Sequence, residues 1–475
     1  MSAKTIVIAC DTFSPDHNGT ATFSKHLACV LSERGYEVHV IAPATSRLYG
    51  TFREQHDGVP LIIHRLKSHR IPFQPTLRFV SPLWLTSKIQ GLFGAIKPEV
   101  VHIQSHINIG HHAAVAAKKL ELRLIATSHI DLESVIENTI IAPRFVKSFL
   151  TNLLLRDAAR VFKSADAIAA PTRRSAQMLE SVVKGLRVYP ISGGVETSLY
   201  KDLPEPEQDS RKLVYVGRLD LEKHVYVALE AMAKLPEGFD VSLEVIGSGA
   251  QAEELEQLAK ELGISERINF LGEVSDAEVI EALGSASAFV MPSVQELQSM
   301  ATLEAMAAGR PIIAANAMAL PHLVIDGVNG FLFKPDSPAD LAAKIVKLFE
   351  LPKNSFKKLS AGSRVLVQSH DLEDTVTVYE RLYNGLEVNE TTLDNDPNYE
   401  AAISPTTRLA EFVRSGSRSI ERRASGVLER LTGVRGSVTE TFSDVRFMIE
   451  RRGKKVRKKL SSALRRALES IRRDD

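Results

Sequence analysis

Cysteine is scarce, occurring twice in 475 residues, at Cys10 and Cys29. Two thiols build no disulfide framework and their spacing suits no zinc site, so a disulfide-stapled secreted scaffold is excluded and a reducing compartment fits. An excess of one charge is also missing. The 59 Lys and Arg against 58 Asp and Glu leave a net charge of +1, which gives no global field to gather nucleic acid. No apolar run approaches the ~20 residues of a membrane span. The apolar segment 5–9 lacks the cationic flank and cleavage site of a secretory signal, so it is expected to be a first strand. What remains is a chain with 44% hydrophobic residues, too long for one ordinary core. That predicts a globular protein of two domains.

The most informative stretch is 288–311, AFVMPSVQELQSMATLEAMAAGRP. Its opening apolar run, stopped by Pro292, reads as a buried strand. A polar loop follows, then a helix with Met300, Leu303 and Ala307 on one face, ended by Gly309 and Pro311. Glu296 therefore sits at the carboxyl end of a strand, where open α/β sheets bind ligands. Glu304 lies inside the helix. The amides of Leu297, Gln298, Ser299 and Met300 are expected at the helix start, where unpaired N–H groups favour an anion. A carboxylate before them and another inside would suit sugar and ribose hydroxyls; a capping Glu and a solvated helical Glu would look the same.

Upstream, a strand at 5–10, the loop DTFSPDHNGTAT, a helix and a second strand at 36–41 make the opening of a doubly wound sheet. The Asn18-Gly19 turn lets backbone approach a phosphate, or is simply a good turn. Further strands are expected at 61–64, 100–103, 123–126 and 168–171. His129 follows the third of these and faces the crevice, although a lone His is more often a structural one. His102, His106, His111 and His112 lie nearby; His111 and His112 point to different helix faces and no acid follows, which argues against a metal. In the second half, the strand 213–216 leads into Gly217-Arg218-Leu219-Asp220-Leu221-Glu222-Lys223-His224. Arg218 and Lys223 can converge there on one anion, or stand as two solvated surface cations. Gly247 opens a Gly-Ser-Gly turn that reads as nucleotide-facing backbone, without the ribose-binding acid of a dinucleotide fold. Gly272 ends another strand, where its backbone could meet a base.

Together, Glu296, Glu304, EAMAAGRPIIAANAMALPHLVIDGVNGFLF and the Gly-Arg…Lys segment resemble the E-x7-E retaining glycosyltransferases of the GT-B type, family 4 (glycosyltransferase group 1). The resemblance covers about 4–386. It implies two Rossmann-like domains facing across a cleft: 1–195 on the acceptor side, completed by a crossover helix at 370–386, and 196–369 binding the nucleotide sugar. It also implies that Glu296 contacts the transferred sugar, Glu304 the ribose, His129 the sugar, Gly19 the diphosphate, and Arg218 with Lys223 the leaving diphosphate. His129-Ile130-Asp131 and His224 resemble the lipid-glycosylating branch, the diacylglycerol glucosyltransferases, sulfoquinovosyltransferases and phosphatidylinositol mannosyltransferases. Asn18, Ser192 and Leu297-Gln298-Ser299 depart from the pattern.

Two stretches mix cations with large apolar residues. The first, 65–97, holds Arg65, Arg70, Arg78 and Trp84; the second, 144–163, holds Arg144 and Lys147. Either an anionic membrane surface or a core-packing helix with a cationic rim fits. Beyond an acidic linker at 387–400, the tail 401–475 carries 19 cationic and 9 acidic side chains, and 447–473 has the pattern of a basic amphipathic helix; a partner coiled coil is the alternative. The expectation is a metal-independent, cofactor-free transferase moving a hexose from a UDP- or GDP-sugar to a membrane lipid, at the cytoplasmic face. A soluble acceptor, or an inactive GT-B-like scaffold, are the rivals.

Overall fold

The computed structural model describes residues 4–16, 18–71, 74–129, 144–386 and 388, with side chains in all of these except 71–77 and 144–153. The tail 389–475, Asp131 and the side chains of Arg144 and Lys147 therefore lie outside the description.

The strands are β1 (Thr5–Ala9), β2 (Glu37–Pro43), β3 (Gly50–His56), β4 (Val59–Leu66), β5 (Ser68–Ile71), β6 (Gln74–Val80), β7 (Val100–Ile103), β8 (Arg123–Thr127), β9 (Ala167–Ala170) and β10 (Val188–Pro190), followed by β11 (Lys212–Val216), β12 (Ser242–Ile246), β13 (Ile268–Gly272), β14 (Ala288–Met291), β15 (Ile312–Ala315) and β16 (Gly330–Phe333). They form an eight-stranded sheet, order β10-β9-β8-β7-β1-β2-β4-β3, a six-stranded sheet, order β13-β12-β11-β14-β15-β16, and the hairpin β5-β6. Within the two large sheets every pairing is parallel except β3 with β4. Strands such as TIVIA and AIAA are continuous apolar runs because helices cover both faces.

The strand order reverses between β1 and β7 in the first sheet and between β11 and β14 in the second. Those switch points open a crevice at the strands' carboxyl ends.

The helix Leu372–Tyr383 returns from the second sheet to the first. It buries Leu372, Val376, Tyr379, Leu382 and Tyr383 in one cluster with Ile6, Ile8, Phe13, Phe23 and Leu27. Each such side chain contributes about 1.5–3 kcal/mol of burial. Polar contacts fix its register. His102 Nδ1 meets the Tyr383 hydroxyl at 2.7 Å, His102 Nε2 meets Thr127 Oγ1 at 2.7 Å, and Tyr379 reaches Thr127 at 3.1 Å. Arg34 pairs with Glu373 and Glu380 at its outer face.

The segment 65–97 is not one element. It is the end of β4, the β5-β6 hairpin and the helix Leu85–Ile96. Arg65 is no surface cation: it is buried and forked onto Glu54 across the β3-β4 pair, at 2.9 and 2.6 Å. The hairpin joining β3 to β4 turns on Asp57 and Gly58, both at positive φ, 50° and 82°, the geometry of a two-residue I′ turn. Among the described residues no helix is long and apolar enough to cross a membrane.

Candidate active site

The loop after β14 brings Glu296 to the second switch point. Glu296 is 8% exposed, and its Oε1 accepts from Lys223 Nζ at 2.7 Å. Lys223 ends the one-turn 3₁₀ segment Leu221–Lys223 after β11. The expected convergence of Arg218 and Lys223 on one anion is therefore not what the chain shows by itself. Lys223 is bonded to Glu296, while Arg218 is half-exposed and forks onto Asp220 and Glu222. His224, at φ 50°, pairs with Asp336 at 2.6 Å.

The helix carrying Glu304 runs Met300–Ala307, with Ser299 as its cap: Ser299 Oγ accepts from the Thr302 amide at 3.4 Å. Leu297 and Gln298 precede the helix, so they do not supply first-turn amides as the spacing suggested. They join the domains instead. The Leu297 carbonyl accepts from Thr172 Oγ1 at 2.8 Å. Gln298 Oε1 accepts from the Gly193 amide at 2.7 Å, and its Nε2 donates to Ser192 Oγ at 2.8 Å. Met300 and Ala301 open the helix and offer first-turn amides that no described residue engages. Burial pushes the Glu304 carboxyl up to about 7, with the charge of Asp276 adding to it.

Across the cleft, the helix Gly19–Glu33 starts at the first switch point. Asn18 caps it, Oδ1 accepting from the Ala21 amide at 3.0 Å. A Cβ at Gly19 would lie 3.8 Å from Met300 Cγ. The two helix starts thus face one another, and the partial positive ends of both dipoles point into the same gap. His129, at the end of β8, packs against Phe23 with ring centroids 5.1 Å apart, and burial lowers its pKa to about 4. Gln104 holds its Nε2 at 2.9 Å.

The glycine turns have a packing cause. A Cβ on Gly247 would stand 2.0 Å from the Gly217 carbonyl oxygen, and one on Gly249 2.5 Å from the Leu219 carbonyl. The Gly-Ser-Gly turn lets the β12 end stack on the β11 end. Gly272, at φ 68°, accepts the Gly247 amide at 2.7 Å and has open space beside it.

The histidine group is divided rather than convergent. His111 meets Asp157 at 3.0 Å, an acid that the local sequence does not announce; His112 meets Thr86 at 2.6 Å and His106 lies tilted against Phe162. Among the described residues no three His, Cys, Asp or Glu side chains could hold a metal. Of the membrane candidates, Arg70 is exposed opposite Arg78 in the hairpin register. Arg78 donates to the Ala44 and Thr45 carbonyls, and Trp84 is 84% exposed. Gly193, Thr172 and Gln104 join the site without a motif to mark them, and Ser192 enters the sequence pattern only as a departure. Gln104 had one visible signal, a polar side chain two positions after His102 on an apolar strand.

Two doubly wound domains whose switch points oppose each other, one carrying a Lys–Glu pair and the other a recessed imidazole, define the GT-B class of glycosyl-transferring enzymes. The sequence model for Glycosyltransferase Family 4 matches residues 17–199, and that for Glycosyl transferases group 1 matches 200–364. The chain belongs to this family and is a hexosyltransferase. It is 26% identical over 310 residues to a sulfoquinovosyl transferase of Arabidopsis thaliana, covering 61% of this chain and 58% of that protein. It is 29% identical to a GDP-mannose-dependent alpha-mannosyltransferase of Mycolicibacterium smegmatis, over 70% of this chain and 84% of that one. With an alpha-monoglucosyldiacylglycerol synthase of Streptococcus pneumoniae it shares 24% identity over 71% and 76% of the chains. Its fold matches sucrose-phosphate synthase of Thermosynechococcus elongatus with TM-score 0.64 at 18% identity, over 80% and 98% of the chains. It also matches Anabaena HepE in complex with UDP-glucose, with TM-score 0.62 at 18% identity, over 80% and 100%.

Proposed function

We propose that the enzyme transfers a hexose from a nucleotide diphosphate sugar to a lipid acceptor at an anionic membrane surface, with retention of configuration. The donor's diphosphate lies between the two helix starts. Lys223 turns from Glu296 to the phosphate and Arg218 adds its charge, so no metal ion is required. Glu296, released from Lys223, accepts from hydroxyls of the transferred sugar; Glu304 accepts from the ribose; His129 accepts from the sugar on the acceptor side. The bond from C1 to the phosphate oxygen breaks, the acceptor oxygen bonds C1 on the same face, and the leaving phosphate takes the acceptor's proton.

The observation that carries the lipid acceptor is the exposed edge of the first domain. Leu83 and Trp84 are 76% and 84% exposed, and Trp84 holds a left-handed backbone, φ 62°, a conformation a bulky residue keeps only against strain. The hairpin that leads into them sets Arg70 opposite Arg78, a like-charge pair that an anionic surface relieves. Exposed Leu48, Tyr49 and Phe79 adjoin it: Arg78 binds the Thr45 carbonyl, and Lys67 lies over the Tyr49 ring. The alpha-monoglucosyldiacylglycerol synthase relative supports the same reading. The proposal takes the attachment to be peripheral and at the cytoplasmic face, with the basic tail adding charge.

The test incubates labelled UDP-glucose and GDP-mannose with anionic and neutral vesicles of extracted membrane lipid. Label should enter lipid from one donor, on anionic vesicles, with or without chelator. Label found only in soluble products refutes the lipid acceptor, and strict dependence on Mg²⁺ or Mn²⁺ refutes the metal-free neutralisation. Leu83→Ser with Trp84→Ser should reduce sedimentation with anionic vesicles while leaving donor hydrolysis intact.

A further inference from the structure

Two imidazoles stand on adjacent parallel strands of the first sheet, on the same face and at different depths. His102, on β7, is fully buried and bonded at both ring nitrogens, to Thr127 and Tyr383. Its place in the fold accounts for both nitrogens. His129 stands two residues beyond Thr127, at the cleft end of β8. It is only partly buried, and among the described residues just one of its nitrogens is engaged: Nε2, 2.9 Å from Gln104 Oε1. Gln104 stands two residues beyond His102, at the cleft end of β7, and its backbone N–H donates to the Ala9 carbonyl at 3.0 Å. The contact Gln104–His129 thus repeats the contact His102–Thr127 one rung nearer the cleft.

Gln104 is fully buried. A side chain this polar is sealed in only if it makes a bond worth making. An amide oxygen accepts and cannot donate, so the ring nitrogen that faces it carries the proton. Burial holds His129 neutral, with a pKa of about 4. The other nitrogen, Nδ1, then holds a lone pair. Gln104 Nε2 has no partner among the described residues, so the bond to His129 is the interaction that explains this side chain.

We propose that Gln104 is a positioning residue for the transfer: by accepting the His129 Nε2–H it fixes one tautomer and presents the Nδ1 lone pair to the cleft as an acceptor for a hydroxyl of the transferred sugar. This rests on the reading that His129 meets the sugar. It adds a selectivity that the other tautomer lacks, because a bare lone pair takes a hydroxyl donor and rejects a group that can only accept. The titratable groups nearby do not compete for the proton. His102 has its pKa lowered to about 3 and Tyr379 has its phenol raised by burial, so both stay uncharged over about pH 5–8.

The test uses the full chain labelled with ¹⁵N-histidine, with His129 assigned by the signals lost in His129→Phe. Nε2 should be protonated and Nδ1 bare from about pH 8 down to about pH 5.5. Gln104→Leu should shift the tautomer population toward Nδ1–H. In hydrolysis of whichever of UDP-glucose and GDP-mannose the wild-type chain turns over, it should lower kcat by about 10- to 100-fold with KM within about 3-fold. Gln104→Glu keeps the acceptor but places a carboxylate on the ring, so His129 should protonate nearer neutrality and activity should fall as pH drops below about 7. An Nδ1–H tautomer in the wild-type chain, or a Gln104→Glu profile that matches wild type, overturns the proposal. If Gln104→Leu does not fold, the tautomer of the wild-type chain and the Gln104→Glu profile decide by themselves. If His129→Phe hydrolyses donor as well as wild type while the tautomer is as stated, the sugar contact fails and the Gln104 geometry survives it.

Discussion

Lys223 and Glu296 hold one another at 2.7 Å, with side chains 16% and 10% exposed, so each fills the position that a ligand group would take. A diphosphate can claim Lys223 only by breaking that pair. At an effective dielectric of about 20 the attraction is about 6 kcal/mol before desolvation. After the cost of withdrawing both groups from water, about 1–2 kcal/mol of net pairing remains. Glu296→Gln removes this competition and also removes a negative charge beside the incoming phosphates. Free UDP or GDP should therefore bind about tenfold tighter, since ~1.4 kcal/mol is a factor of ten. Turnover should fall by orders of magnitude, because the glutamine cannot accept from sugar hydroxyls with a carboxylate's strength. Isothermal titration with nucleotide, beside donor hydrolysis, measures both. Nucleotide binding that weakens in Glu296→Gln would show that the carboxylate is no rival for Lys223, and the mechanism built on its release would fall.

Tyr383→Phe leaves the His102 Nδ1 buried without its 2.7 Å partner, and should cost about 1–3 kcal/mol in a urea melt; an unchanged midpoint contradicts the lock. Gly247→Ala places a methyl 2.0 Å from a backbone carbonyl at φ 133°, so the variant should lose several degrees in Tm or fail to fold, whereas wild-type stability would show that the turn gives way. Acid should destabilise the fold early. His64, His106, His129 and His370 have their pKa lowered to about 4 and His102 to about 3, burial being the main cause. The unfolded chain binds protons near 6.5, so stability is full above that pH and is lost as pH falls through the window down to about 4, by up to about 1.4 kcal/mol per pH unit for each ring. A urea midpoint flat between pH 7 and 4.5 refutes the buried neutral rings.

The parallel strands were legible because burial on both faces leaves apolar runs in the sequence, and the carboxylate spacing marked Glu296 and Glu304. What escaped depends on partners far along the chain. Arg65 reads as an unpaired cation until β3 brings Glu54 across the hairpin. β3 itself is half polar, as an exposed edge strand is, although its Asp57-Gly58 turn was there to be read. Gln298 looks like a loop residue beside an anion site; its partners Ser192 and Gly193 lie 106 and 105 positions away. Arg218 is the opposite case. Asp220 and Glu222 stand two and four residues on, so the local sequence itself supplies the partners of its charge. Arg310 is fully buried and donates to the Ala308, Ala286 and Pro204 carbonyls; nothing in its surroundings in sequence marks it as other than a surface cation.

The return of the helix Leu372–Tyr383 to the first sheet has a consequence for synthesis on the ribosome. The last strand of that sheet ends at Pro190, yet the side chains that close its core against Ile6 and Phe23 are about 190 residues further on. At 5–20 residues per second they arrive roughly 10–40 s later. Through that interval the first domain has an open apolar face, while the second, whose cluster draws on residues 195–367, has its last core residue only five positions before the returning helix begins. The nascent chain therefore finishes its second domain before its first, and the earlier half passes through synthesis in the state that chaperones recognise.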